Sequence, residues 1–249
     1  GYDVKLSALS DITIGNTTAT GDPTIVSQFG DVTIAGNQIT AGAPLSVLAY
    51  GDVVANPGIT IDTGGGELFV AAGVNIQDGG TKWIITGPAS PNGGFVDLRG
   101  ATTISTVGAS GGNVTIIAYD GGGIDLGRVA IAPTTILTTY GTAGSSGNVN
   151  IIAEDANAAN QNAIQIGGID TRGPGASGTV GTGNVTLSAA LLPTTVNVTV
   201  DKGSGAATGL NQFVQQGGLP RNINVTGDIV TRGGAVTLVA GNATGVSGN

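Results

Sequence analysis

Apolar and polar residues alternate with a period of two in short runs along most of the chain, and one run keeps returning. It reads Gly112-Asn113-Val114-Thr115-Ile116-Ile117-Ala118, then Gly147-Asn148-Val149-Asn150-Ile151-Ile152-Ala153, then Gly183-Asn184-Val185-Thr186-Leu187-Ser188-Ala189. Looser copies are Asp3–Ala8, Pro44–Ala49, Gly94–Gly100 and Ala235–Ala240. Residues at i and i+2 of a strand share one face, so Val4, Leu6 and Ala8 are predicted to point inward while Asp3, Lys5 and Ser7 meet water. A second kind of run follows a glycine-containing corner, as in Asp11-Ile12-Thr13-Ile14, Gly30-Asp31-Val32-Thr33-Ile34, Gly51-Asp52-Val53-Val54, Gly73-Val74-Asn75-Ile76 and Gly123-Ile124-Asp125-Leu126. A third leads into the next copy: Ile61-Asp62-Thr63-Gly64, Ile104-Ser105-Thr106, Ile169-Asp170-Thr171-Arg172-Gly173 and Ile229-Val230-Thr231-Arg232-Gly233. Runs that recur every few tens of residues are the signature of stacked repeats, each burying its apolar side against its neighbours. The predicted fold class is all-β, a β-solenoid of parallel strands with a few loop insertions.

Successive copies ending at Ala49, Ala72, Gly100 and Ala118 lie about 18–28 residues apart, the length of one coil with short strands and tight corners. The wider intervals before Ala153, Ala189 and Ala240 hold either two coils or one coil with an insertion. The polar stretches Glu154–Asn162 and Asp201–Arg221 are the predicted insertions within a single domain spanning residues 1–249. Gly209–Gln216 is the one stretch with the pattern of a short helix.

Composition supports the strands. Glycine supplies 46 residues and charged residues only 10% of the chain, so the usual surface residues of helices are scarce. Val, Ile and Thr dominate, and their stiff β-branched side chains suit a pleated strand. The regular alternation argues against low-complexity disorder, which has no reason to keep it. The formal net charge of −8 disfavours a nucleic-acid partner, because no basic patch exists to neutralise phosphates. Cysteine and histidine are both absent, which removes disulfides, thiolate metal sites and the commonest general base. No apolar run reaches the ~20 residues of a bilayer span, so no membrane insertion is expected. Methionine is absent and the chain opens Gly1-Tyr2-Asp3, the expectation being a removed leader or a piece of a longer polypeptide.

The sixteen acidic residues are scattered, mostly one per corner, as at Asp31, Asp52, Asp62, Asp125, Asp170 and Asp228. Asp favours such corners because its carboxylate bonds the local backbone. Glu154-Asp155, the adjacent acidic pair, is expected to be solvated in a polar loop. Gly121–Leu126 and Gly167–Asp170 resemble single units of a calcium-binding nonapeptide but do not occur in tandem, so no metal and no cofactor is assigned. The Thr residues shift position from coil to coil, against a regular ice-binding ladder. Sequons at Asn113, Asn184, Asn197 and Asn224 are explained by strand composition. The few aromatics, Trp83, Phe29, Phe69, Phe95, Phe213 and four tyrosines, are expected to pack at corners rather than to build a sugar-binding groove. No catalytic residues are proposed.

Two surfaces stand out. The position before the last Ala of each first run faces outward, and it carries Leu48, Ile117, Ile152 and Val239. Such an apolar stripe is expected to be covered by an insertion or a neighbouring molecule. Neither end of the chain shows a capping helix or an atypical polar coil. Gly245–Asn249 written before Gly1–Ala8 reads like the internal run Gly144–Ala153, as if the ends were halves of one repeat. End-to-end self-association is therefore expected through Tyr2, Val4, Leu6 and Ala8 at one end and Val236, Leu238 and Val246 at the other.

With these runs in view, the chain resembles the strand-repeat regions of filamentous-haemagglutinin-like exoproteins, the bacterial adhesins of two-partner secretion. The matching features are the Gly-Asn-Val-Thr-Ile run at Gly112–Ile116, the Ile-Asp-Thr-Arg-Gly run at Ile169–Gly173 and the Asp-Ile-Thr-Ile type of second strand at Asp11–Ile14. The family's secretion motif, Asn-Pro-Asn-Gly, is matched only in part at Asn56-Pro57-Gly58 and Pro91-Asn92-Gly93. The resemblance implies a right-handed parallel β-helix, export, and an adhesive or structural role on the bacterial cell surface. Three functions follow: an extracellular structural fibre built by head-to-tail stacking, an adhesin shaft whose loops bind a host surface or polysaccharide, and a carbohydrate-active enzyme. Scattered Asp and the absence of His place the enzyme last.

Overall fold

The structure, a computed structural model, describes residues 4–21, 23–89, 93–120, 127–154, 162–172, 183–213, 217–218, 221–231 and 233–240. It is all-β, with one short 3₁₀ turn at Leu210–Gln212 where the sequence reads as helix-like. Three long parallel sheets carry the chain. The first is formed by Lys5–Ala8, Thr24–Ser27, Leu45–Ala49, Leu68–Ala72, Val114–Ala118, Val149–Ala153, Val185–Leu191 and Val236–Ala240, in that order. The second is formed by Ile12–Ile14, Val32–Ile34, Val53–Ala55, Val96–Leu98, Val129–Ile131, Asn162–Ile166 and Asn222–Val225. The third is formed by Thr17–Ala19, Gln38–Thr40, Ile59–Asp62, Ala101–Ser105, Ile136–Thr138, Gly168–Asp170 and Ile229–Val230. The chain visits the three sheets in rotation, and one visit to each is called a round below.

Register is kept from round to round. Val114, Val149, Val185 and Val236 pair in line, as do Ile116, Ile151, Leu187 and Leu238 two residues on. Because strand side chains alternate, one residue of slip would turn every inward group outward, so the recurring pattern fixes the register. Inward residues of all three sheets meet in one core, including Ile25, Ile34, Val47, Ile61, Ile104, Ile116 and Ile151. Each such side chain contributes about 1.5–3 kcal/mol by leaving water. Glycine matters where backbones close in. A Cβ on Gly94 would collide with the carbonyl of Gly51 and the amide of Gly73 at a shared corner.

Two assignments differ from the sequence reading. Gly94–Gly100 is not a copy of the first run, since Val96–Leu98 lies in the second sheet beside Val53 and Val129. Val74-Asn75-Ile76 belongs to none of the parallel sheets. It opens a hairpin, Val74–Asp78 paired antiparallel with Lys82–Pro88, inserted between the first and second strands of the fourth round. Alternation tells which face of a strand is buried but not which sheet it joins. The wide intervals before Ala153 and Ala189 each hold a single round.

A second excursion leaves the seventh round after Leu191. Its strand Val198–Asp201 pairs antiparallel with Lys82–Ile85 and with Ala207–Thr208, so two excursions more than a hundred residues apart build one small sheet. This excursion overlaps the insertion expected at Asp201–Arg221 but begins earlier. Of Glu154–Asn162, residues 155–161 lie outside the described residues.

Candidate functional site

The candidate surfaces are the two ends of the stack and the outer face of the first sheet. At the ends one inward position is decisive. Its residues Ile25, Val47, Val70, Ile116, Ile151 and Leu187 are 0% exposed inside the stack, whereas Leu6 is 39% and Leu238 53% exposed. Nothing distinguishes these residues chemically. Among the described residues Leu6 and Leu238 have a neighbouring strand on one side only, because Lys5–Ala8 pairs with Thr24–Ser27 alone and Val236–Ala240 with Val185–Leu191 alone. Val236 is 45% exposed, and Val4 and Ala8 are half-buried. The inward residues Ile12 at one end and Ile223, Val225 and Ile229 at the other are also only partly buried. The structure places Val4, Leu6 and Ala8 at the opposite end of the first sheet from Val236 and Leu238. Tyr2 and Val246 lie outside the described residues. The C-terminal end is stepped: among the described residues the first sheet has one more parallel strand than the other two.

Along the outer face, Leu48, Ile117 and Ile152 are buried and Val239 is half-buried. Leu48, Ile117 and Ile152, with Val26, Phe69 and Ala71, form a second apolar cluster that does not include Val239, closed from outside by Val74, Ile76, Trp83, Ile85, Val196, Val198, Val200 and Phe213 of the two excursions. The chain thus covers most of this stripe with its own antiparallel sheet. Polar contacts fasten the cover. Ser46 Oγ donates to the Gly205 carbonyl at 2.7 Å, and Tyr119 Oη donates to the Pro193 carbonyl at 3.0 Å. Lys202 Nζ lies 3.9 Å from the centre of the Trp83 ring and donates to the Asp78 carboxylate. Phe213 meets Phe69 and Tyr119 with ring centres 6.3 and 6.2 Å away.

Glu154 corrects an expectation. It is buried rather than solvated, and its Oε1 accepts the amide of Leu192 at 2.9 Å, at the start of the second excursion. The first excursion was missed in the sequence although its signal is there. Two alternating runs meet at Gly79-Gly80, a hairpin signature, and Gly80 sits at φ +81° with its amide donating to Asp78 Oδ1.

Side chains also tie successive rounds together. Asp11, Asp31 and Asp52 each accept, on Oδ1, the amide of the equivalent residue one round on: Asp31, Asp52 and Phe95. Asn113, Asn148 and Asn184 do the same for Asn148, Asn184 and Ala235. Thr40, Thr63, Thr106, Thr139, Thr171 and Thr231 close the corner after a third-sheet strand. Their hydroxyls donate to the carbonyls of Ala43, Gly66, Gly112, Gly147, Gly183 and Gly234. The first round has Ala19 at this place.

Comparison with protein-family models, curated proteins and solved structures finds no match to the chain. The functional reading therefore rests on the geometry.

That geometry keeps the acids apart. Asp97 and Asp170 are each held by the arginine two residues on, Arg99 and Arg172, which together with backbone amides outweigh desolvation and keep both carboxyls below the usual range. Asp52 moves the other way, to about 6, because burial disfavours its charge. Among the described residues no three acidic side chains converge on a common point. Gly168–Asp170 is a third-sheet strand, and Gly121–Leu126 lies outside the described residues.

Proposed function

We propose that the chain is a section of a β-solenoid, a right-handed parallel β-helix of three strands per round, that builds an extracellular structural fibre by end-to-end stacking. The rotation of strands among three parallel sheets supports the solenoid, and the near-universal right hand of parallel crossovers supports its handedness. The observation that carries the function is the exposure of Leu6 and Leu238, whose equivalents are fully buried wherever a further round lies above and below. An open row of strand amides and carbonyls over an apolar core pairs readily with another chain. A head-to-tail contact of this kind does not close, and it propagates as a filament. The strand phrases fit a filamentous-haemagglutinin-like exoprotein displayed on a bacterial surface. The next round is supplied by a second copy or by continuation of the same polypeptide.

The test uses Leu6→Asp and Leu238→Asp, each of which places a carboxylate on one end and leaves the other intact. Wild-type chain is expected to sediment as a concentration-dependent series of oligomers, and each variant as monomer. An equimolar mixture of the variants is expected to form dimers and nothing longer, through the two untouched ends. A wild-type chain that stays monomeric at all concentrations, or variants that associate like wild type, would remove the copy-to-copy joint.

A second reading, an adhesin shaft that binds a host surface or polysaccharide, is favoured by one corner of the first three rounds. Leu9 and Phe29 are 68% and 64% exposed, and Phe29 packs against Tyr50 with ring centres 5.9 Å apart. Retention of wild-type chain but not Phe29→Ala on a polysaccharide array would support it.

A further inference from the structure

The covering sheet has a latch at its base. Glu154 lies at the corner after the sixth first-sheet strand, beneath the point where the chain leaves the seventh for its second excursion. Only 9% of the Glu154 residue is exposed, yet it borders an open cavity of about 430 Å³ lined by Leu191, Leu192, Pro193, Thr194 and Thr195. The amide of Leu192 donates to it at 2.9 Å, and the amide of Asp120 donates to it from the neighbouring round. One residue further on, Tyr119 Oη holds the Pro193 carbonyl, and the Tyr119 ring carries Phe213 from the far end of the same excursion.

We infer that Glu154 is a protonation-controlled latch that fastens residues 192–213 over the apolar outer face of the first sheet, closing more firmly in acid than in alkali. In its neutral form the carboxyl keeps an acceptor for Leu192 and carries no charge into the apolar cluster. In its ionised form it is a buried anion whose two amide donors do not make good the water it has lost. Among the described residues the groups that face it are Asp120, whose negative charge opposes ionisation, and the Tyr119 hydroxyl, itself pushed up by burial and by Glu154. The lining residues 191–195 of the excursion bring no titratable group. Burial is the largest cause, and the Glu154 carboxyl titrates near 7 rather than 4.5. Lifting the excursion returns it to water and to its ordinary acidity. Opening is therefore linked to proton release, and a shift of this size makes it about 30-fold more frequent at pH 8.5 than at pH 5.5.

The experiment is amide hydrogen exchange on the full chain at the two pH values, corrected for intrinsic exchange, comparing Val198–Asp201 with the core strands Val114–Ala118 and Val149–Ala153. The wild type is expected to show the fold-change in the excursion, with the core strands better protected than the excursion at both pH values. Glu154→Gln, which keeps an oxygen for Leu192 and cannot ionise, is expected to hold the excursion closed at both pH values. Asp52→Asn, which removes the other raised carboxyl, is expected to leave the excursion's pH response intact. A response absent from the wild type, retained in Glu154→Gln, or lost in Asp52→Asn would overturn the latch. Should Glu154→Gln fail to fold, titration of Glu154 by carboxyl NMR shifts in the wild type decides it, an ordinary pKa being the contrary result.

Discussion

At the scale of single residues, the stack is held in register by hydrogen bonds that repeat once per round. In rounds two to six a buried Thr hydroxyl at the third corner donates to a carbonyl of the following turn. Thr139→Val keeps the shape and leaves the Gly147 carbonyl without this donor, so a loss of about 1–3 kcal/mol is expected in denaturant unfolding. Thr139→Ser should recover most of it, and equal stability of the Val variant would deny the hydroxyl its role. These threonines recur in the sequence just before each first run, but spacing alone does not say that they point inward. The Asn sequons tell the same story: Asn113 and Asn184 are explained by amides on the next round. Acidity acts through opposite shifts. Asp52 and Glu154 keep protons in the folded state, at about 6 and 7, that the unfolded chain releases, so their effect is to raise stability as pH falls from about 7 toward 5. Asp97 and Asp170, held down by arginines, lose their contribution only below the ordinary carboxylate range. A Tm maximum near pH 5 is expected, and a monotonic rise toward pH 8 would contradict it.

At the scale of elements, the strands were readable and their partners were not. Period-two alternation located nearly every strand because each buries one face. It could not separate Val96–Leu98 from the first-sheet runs, since the inward residues alternate in the same way in both, although the strand itself is shorter and has a half-buried outer position. The antiparallel cover was hidden for a different reason: it joins Lys82–Ile85 to Val198–Asp201, and no local pattern reports a pairing over that distance. The apolar residues outside the first sheet were the clue that something must lie on them. The cover is a separate layer joined to the stack through the second apolar cluster, so its loss should be local. Phe213→Ala removes the ring shared by Phe69 and Tyr119 at a cost of about 3–5 kcal/mol. Limited proteolysis is expected to cut residues 192–213 much faster in this variant while the three parallel sheets persist by circular dichroism. Cooperative collapse of the whole chain would show instead that cover and stack fold as one unit.

At the scale of the whole molecule, one core runs the length of three sheets, and among the described residues Leu6 and Leu238 lie exposed at its two ends. Among the described residues the inner rounds are stabilised from both sides, and the first and last from one. Recurrence of the runs carries the expectation of stacking in the sequence itself, because Asp3–Ala8 and Ala235–Ala240 have the same kinds of alternating apolar residues as the middle of the chain. What recurrence could not show is that, among the described residues, the C-terminal end is stepped, a consequence of where the last described strand falls in the rotation. The fibre proposal requires that the rounds continue from one unit to the next. Electron microscopy of the purified chain over a range of concentrations, with diffraction from aligned specimens, tests it most directly. The expected result is unbranched filaments of uniform width with a ~4.8 Å repeat along the filament axis, the spacing of paired strands. Short rods of fixed length at every concentration, or filaments whose strand repeat runs across the axis, would contradict it.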